Sequence, residues 1–151
     1  MQQLDLLEEL FVIGYPLHGK VTIKPILTSG CVADGKCGTR PGRYSMNIDV
    51  RRRNSGGPVL DRAGRVIGVV VAKVNTPGVY VATGRLVQNV GIAIRLSVAL
   101  DFLRKDDVAI RESSTTCPLT EADLFSKAHQ FVGQVGCWHW RIARALHQRV
   151  G

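Results

Sequence analysis

No apolar run in these 151 residues approaches the roughly 18 needed to cross a membrane as a helix. The longest, Val66 to Ala72, is broken by Gly68 and is strand-sized. A basic leader is missing as well. The chain begins Met-Gln-Gln-Leu-Asp-Leu-Leu-Glu-Glu, acidic where a secretory signal needs a positive n-region, so no export signal is expected. Aromatic residues are scarce, at 6%, whereas glycines number 16, a balance that suits a turn-rich β protein better than a helical bundle. No short Cys-x₂₋₄-Cys pair exists, so zinc ligation by Cys117, Cys137 and His139 is a remote option. Neither a metal nor an organic cofactor is expected. Internal repeats and low-complexity segments are also missing.

What the chain does have is positive charge, +8 from 20 basic against 12 acidic residues. Such a balance admits nucleic acid, an anionic surface or an acidic protein as partner. The basic residues are spread along the chain, and the one dense run, Arg51-Arg52-Arg53, abuts a serine turn. No recognition motif accompanies the charge, so no specific nucleic-acid partner is expected. Four cysteines allow three disulfide connectivities. Cys31 and Cys37 flank Asp34-Gly35, a hairpin-turn signal that would bring the two thiols near each other. Cys117 and Cys137 bracket a helical stretch; both couples are left open between local disulfides and free thiols.

At 45% hydrophobic, the chain can bury one ordinary core, or a small domain with an appendage. Strands are predicted over residues 8–15, over 20–29 with Pro25 marking an edge or bulge, over 44–50 and over 65–74. A loop through Pro77 and Gly78 leads to a further strand at 90–95, then to a helix over 96–105 that Ser97 would cap. Residues 111–118 read as a linker. Thr120-Glu-Ala-Asp123 is a capping-box-like start to a helix sharing Leu124, Ala128 and Phe131 on one face, ending near Gly133 and Gly136. The division expected is a barrel over 1–110 and a linker with a helical or extended tail over 111–151.

The segment richest in chemistry is Asn54-Ser55-Gly56-Gly57-Pro58-Val59-Leu60-Asp61, continued by Gly64-Arg-Val-Ile-Gly68-Val. Two others lie on either side of it: Val12-Ile-Gly14-Tyr15-Pro16-Leu17-His-Gly19 and Val90-Gly91-Ile92-Ala93-Ile94. In this order the three resemble the C-terminal half of HtrA-like, trypsin-fold serine peptidases, over about residues 8–105. The resemblance implies a mainly β fold: the C-terminal six-stranded β-barrel lobe, whole or incomplete, with a closing helix and a helical extension. It also implies a serine endopeptidase in which Ser55 is the nucleophile. The backbone N–H groups of Ser55 and Arg53 would form the oxyanion hole, and Gly91, Ile92 and Ala93 would border a polypeptide substrate.

A serine hydroxyl attacks a carbonyl only when a base takes its proton, and the resulting oxyanion needs aimed N–H donors. The glycines after Ser55 let the backbone turn so that hydroxyl and N–H face one cleft. Where the family has glycine this chain has Arg53, which tolerates an inward-turned peptide poorly. Pro25 replaces a usual glycine, and Arg95 a usual proline. Asp49 lies six residues before Ser55, the offset of a trypsin-like specificity-pocket base, yet it reads better as a strand-end carboxylate.

In the family, the histidine and aspartate that activate the serine come from an upstream barrel, for which the 54 residues before Ser55 are too few. His18 and Asp5 are poor substitutes, and His129, His139 and His147 follow in the tail. Three functions are therefore weighed. The first is a peptidase lobe inactive without an N-terminal lobe or partner chain. The second is a pseudo-peptidase that binds peptides, and the third is charge-driven DNA binding. The family is usually periplasmic or secreted. A lone lobe would expose an apolar face, which the tail residues Leu124, Phe131, Trp138 and Trp140 are expected to cover.

Overall fold

The run Leu10-Phe-Val-Ile13 shows no polar alternation, which is how a strand covered on both faces reads. All four side chains are fully buried. They belong to β1 (Glu9–Gly14), the first of six strands in a computed structural model that describes residues 5–15, 24–34, 41–51, 54–84 and 88–135. The others are β2 (Ile26–Asp34), β3 (Arg43–Asn47), β4 (Pro58–Leu60), β5 (Val66–Lys73) and β6 (Val90–Arg95). Their order around the sheet is β1-β2-β3-β6-β5-β4, every pairing antiparallel. A short pairing of Phe11 with Leu60 and Val12 with Val59 closes the barrel.

Alternation along β1 divides the core in two. Leu10 and Val12 point inward, onto Val32, Tyr44, Met46, Val59, Ile67 and Val70. Phe11 and Ile13 point outward, where Leu60, Leu124 and Ala128 complete a second apolar cluster. Register shifts in the β2–β3, β4–β5 and β5–β6 ladders let these short strands bend into a closed shape.

Among the described residues, three helices accompany the barrel. α1 (Thr76–Thr83) stands where the sequence suggested only a loop; it ends at Gly84, in the left-handed conformation at φ 68°. α2 (Leu96–Lys105) follows β6 directly, and Arg95 rather than the expected Ser97 is its N-cap, with no side-chain capping bond. α3 (Glu121–His129) starts as the capping box predicts: the Asp123 N–H donates to Thr120 Oγ1 at 3.1 Å. The helix stops at His129, short of the predicted glycines, so Phe131 lies beyond it and is half exposed.

Leu124 and Ala128 are the buried residues of α3, and they sit on the outer apolar face of β1 and β4. The Leu119 N–H donates to Arg62 O at 2.8 Å, and Lys127 Nζ to Ala63 O at 3.2 Å, so the tail is also fastened to the β4–β5 turn. Leu124 thus covers part of the barrel's outer apolar face, Phe131 stays half exposed, and Trp138 and Trp140 lie outside the described residues.

Several other sequence expectations move slightly. Pro25 precedes β2 instead of interrupting it. β2 runs on to Asp34, and Cys31 faces Asn47 across the ladder with a free thiol. Cys117 is exposed and free, while Cys37 and Cys137 lie outside the described residues. Among the described residues no helix is long and apolar enough to cross a membrane.

Candidate active site

Four backbone hydrogen bonds hold Ser55 on the turn that leads into β4. The Asn54 N–H donates to Arg51 O at 3.1 Å and the Gly57 N–H to Asn54 O at 2.9 Å, which closes the turn on itself. The Gly56 N–H donates to Val70 O at 2.8 Å and the Val70 N–H to Gly57 O at 2.9 Å, which rivets the turn to β5. Gly56 has φ +86°, a conformation that disfavours any residue with a Cβ. At Gly57 the constraint is space. A Cβ there would lie 2.7 Å from Ile13 O and 2.9 Å from Asn54 O, both backbone atoms that cannot swing aside. The Gly-Gly pair is therefore a requirement of this turn.

The turn exposes Ser55 while burying Asn54, which is 2% exposed. Asn54 packs on the end of β1, with its Oδ1 2.9 Å from where a Cβ on Gly14 would stand. Ser55 Oγ donates to Val71 O at 3.4 Å, a long and weak bond. Val71 is the extra residue at the β5–β6 register shift, where Val70 pairs with Ala93 and Ala72 with Ile92. Bulges of this kind re-aim one peptide group next to a site. Among the described residues, Ser55 N–H makes no backbone hydrogen bond, in contrast to its neighbours on the turn.

Ser55 opens onto a groove of about 830 Å³. It is lined by Gly14, Tyr15 and the Ser55–Pro58 turn, by Val66 and Val69 of β5, which contribute apolar surface, and by a wall formed by the segment 131–135 after α3. Tyr15 Oη donates to Val132 O at 3.3 Å, tying that wall to the end of β1. The sequence drew attention to Tyr15 as part of a motif and to Phe131 as a covering residue, but not to their meeting beside Ser55. The capping box did locate α3, but no residue pattern indicated which face of the barrel the helix would dock on.

Gly91 and Ala93 are buried and Ile92 is half-buried in β6, which has β3 on one side and β5 on the other. None of the three lines the groove beside Ser55. Arg53 and His18 lie outside the described residues, as do His139 and His147. His129, on the exposed side of α3, stacks on Phe125 with ring centroids 5.9 Å apart, while Ser55 Oγ bonds to a backbone carbonyl. Among the described residues no histidine–serine pair is formed.

The carboxylates near the turn have structural partners. Asp61 is buried and accepts from the N–H groups of Ala63 and Arg65 at 3.0 and 2.9 Å. Its Oδ2 pairs with Arg65 Nε at 2.7 Å, so Asp61 builds the β4–β5 turn. Asp49 sits between Lys73 at 3.0 Å and Arg51 at 3.1 Å. Hydrogen bonds from these two cations hold its carboxyl below the usual carboxylate range. It is a neutralised strand-end carboxylate, not a charge awaiting a basic ligand. Among the described residues, no group of three or more His, Cys, Asp or Glu side chains could hold a metal ion.

No protein-family model matches the chain. The chain is 32% identical over 131 residues to the uncharacterized protein y4bJ of Sinorhizobium fredii, an alignment that covers 86% of this chain and 21% of that protein. The chain thus spans about a fifth of the curated relative it matches. Its fold is similar to the Rv3671c protease of M. tuberculosis, inactive form, with TM-score 0.51 and 20% identity over 69% of this chain and 51% of that one. It is similar also to a serine endoprotease from Yersinia pestis, with TM-score 0.52 and 18% identity over 69% of this chain and 32% of that one. At these identities the likeness is one of fold. The closed six-stranded barrel matches one barrel lobe of a trypsin-like serine protease.

Proposed function

We propose that the chain is the nucleophile-bearing barrel lobe of a trypsin-like serine endopeptidase, with residues 1–110 as the lobe and 111–151 as an appended tail. One observation carries this reading: Ser55 is exposed on a turn that demands its two glycines, at the lip of a groove. In the reaction, a base takes the proton of Ser55 Oγ as the oxygen attacks a peptide carbonyl and returns it to the departing amine. Water then hydrolyses the acyl-enzyme and restores Ser55. The N–H of Ser55, with that of Arg53, receives the oxyanion. The base and the carboxylate that orients it are proposed to come from an upstream lobe or a partner chain.

A second reading is a pseudo-peptidase that holds peptides without cleaving them. It is favoured by the hydroxyl's bond to Val71 O, a group that accepts a hydrogen bond but removes no proton. With β6 paired on both sides, such binding falls to the Ser55 groove and not to an open strand edge at Gly91–Ala93.

Intact-mass detection of a fluorophosphonate adduct, with Ser55→Ala beside the wild type, tests the choice. An adduct that the substitution abolishes supports the peptidase reading. An adduct that persists in Ser55→Ala overturns it. No adduct together with retained peptide affinity favours the pseudo-peptidase.

A further inference from the structure

The tail lies beyond the stretch that resembles a peptidase, yet it is fastened to the barrel along its length. Residues 106–118 are exposed apart from half-buried Ile110, so the tail is placed by its own anchors and not by its connection. At its start the Leu119 N–H donates to Arg62 O at 2.8 Å. In the middle Leu124 and Ala128 are buried with Phe11, Ile13 and Leu60, and Lys127 Nζ donates to Ala63 O at 3.2 Å. Leu119 and Lys127 also close over Gly64, where a Cβ would stand 3.2 Å from each side chain. At its end Val132 packs on the same cluster, and its carbonyl accepts from Tyr15 Oη at 3.3 Å.

The end of β1 is also gripped by the Ser55 turn. Ile13 O lies 2.7 Å from where a Cβ on Gly57 would be, and Asn54 packs against Gly14. Ile13 serves both partners: its side chain belongs to the cluster that α3 completes, while its carbonyl abuts the turn. Protein interiors are packed as densely as crystals, so a shift on one side of such a strand is passed to the other. We propose that α3 is a positioning clamp for Ser55. Leu124, Ala128 and Tyr15 fix the end of β1, and the end of β1 fixes the turn that aims the hydroxyl. The proposal rests on reading Ser55 as a nucleophile. A misplacement of about 1 Å can cost on the order of a hundredfold in rate, so releasing the clamp slows attack without removing any reacting atom.

The test compares wild type with three variants, each under conditions where its unfolding curve shows it folded. Leu124→Ala empties the centre of the clamp, Leu124→Met refills it, and Tyr15→Phe removes only the hydroxyl that bonds to Val132 O. The amide NMR signals of Gly56 and Gly57, whose N–H groups bond to Val70 O and Asn54 O, report the turn without any chemistry. Fluorophosphonate labelling of Ser55 in imidazole reports its reactivity. Leu124→Ala is expected to move or broaden both glycine signals and to slow labelling at least about tenfold, and Leu124→Met to restore both. Leucine carries no aromatic ring, so its loss reaches the glycine signals only through a change of structure. Tyr15→Phe is expected to move the same signals by less, and it carries the test if Leu124→Ala does not fold. A loss of stability that leaves the chain folded alters neither readout.

Glycine signals that stay in place in the folded variants would overturn the proposal. So would signals that move while a reactive Ser55 labels as fast as in wild type. The two readouts also separate the two ideas. Labelling of wild type with unmoved signals leaves the peptidase reading and removes the clamp, while moved signals in a chain that never labels do the reverse.

Discussion

Replacing Tyr44 by phenylalanine should stabilise the protein, although it removes an atom from the middle of the barrel. Tyr44 is fully buried in the inner cluster, and among the described residues its hydroxyl has no hydrogen-bond partner. The oxygen occupies the space left by Gly68, where a Cβ would stand 2.4 Å away. An unsatisfied buried hydroxyl costs about 1–3 kcal/mol in lost hydration. Against this, removing one oxygen leaves a void whose cost is on the order of 0.3 kcal/mol at about 24 cal/mol per Å³. The net expectation is a gain of about 1–2 kcal/mol at neutral pH.

A second signature lies in alkali. Burial pushes the Tyr44 phenol well above its ordinary range, and the nearby Arg95 charge opposes this only in part. In the folded state the phenol keeps its proton while the unfolded chain gives it up from about pH 10. The unfolded state then binds fewer protons, so the contribution of Tyr44 to stability falls by about 1.4 kcal/mol per pH unit above that point. The phenylalanine variant lacks this slope. Urea unfolding of both proteins, near neutrality and near pH 11, measures the two effects together. A variant less stable than wild type near neutrality, or one that declines as steeply in alkali, would refute the account of the barrel core.

Three further outcomes are expected. Gly57→Ala pushes a methyl against two backbone oxygens of β1 and the Ser55 turn, so it should cost about 1–3 kcal/mol by overpacking, read by urea unfolding. Thr120→Ala removes the N-cap acceptor of α3 and should cost about 1 kcal/mol in the same assay. Asp49→Asn should cost less than about 1 kcal/mol, because the carboxylate and both cations are more than a third exposed and solvent screens them. Its carboxyl is held below the ordinary range, so the contribution is present at neutral pH and disappears as pH falls through the folded value. Unfolding curves of Asp49→Asn and wild type should therefore converge in acid.

The features legible in sequence were those that local chemistry dictates. Leu10–Ile13 and Val66–Lys73 announced themselves as strands by apolar density, Val90–Arg95 by its resemblance to a family strand, and Thr120 announced α3 by its cap. Gly56 and Gly57 marked a turn that presents Ser55. The Arg95 cap and α1 were missed because neighbouring structure, not propensity, sets them: α2 starts where β6 ends, and α1 starts three residues past the end of β5. The wall at 131–135 was illegible for another reason. Its place depends on Phe11, Ile13 and Leu60 turning outward to receive Leu124 and Ala128, which for the two β1 residues is a pairing across more than a hundred residues. Closure of the barrel through Phe11–Leu60 and Val12–Val59 is likewise a matter of tertiary register.

The central proposal is that Ser55 is a nucleophile whose base comes from outside the described residues. Its most direct test is fluorophosphonate labelling of the lone chain with and without added imidazole, with the modified residue located by peptide mapping. Imidazole supplies in solution the base that no described residue places beside the hydroxyl. The account predicts that labelling at Ser55 rises with imidazole concentration and vanishes in Ser55→Ala. Labelling that ignores imidazole, or that spreads over other serines to the same extent, would contradict it.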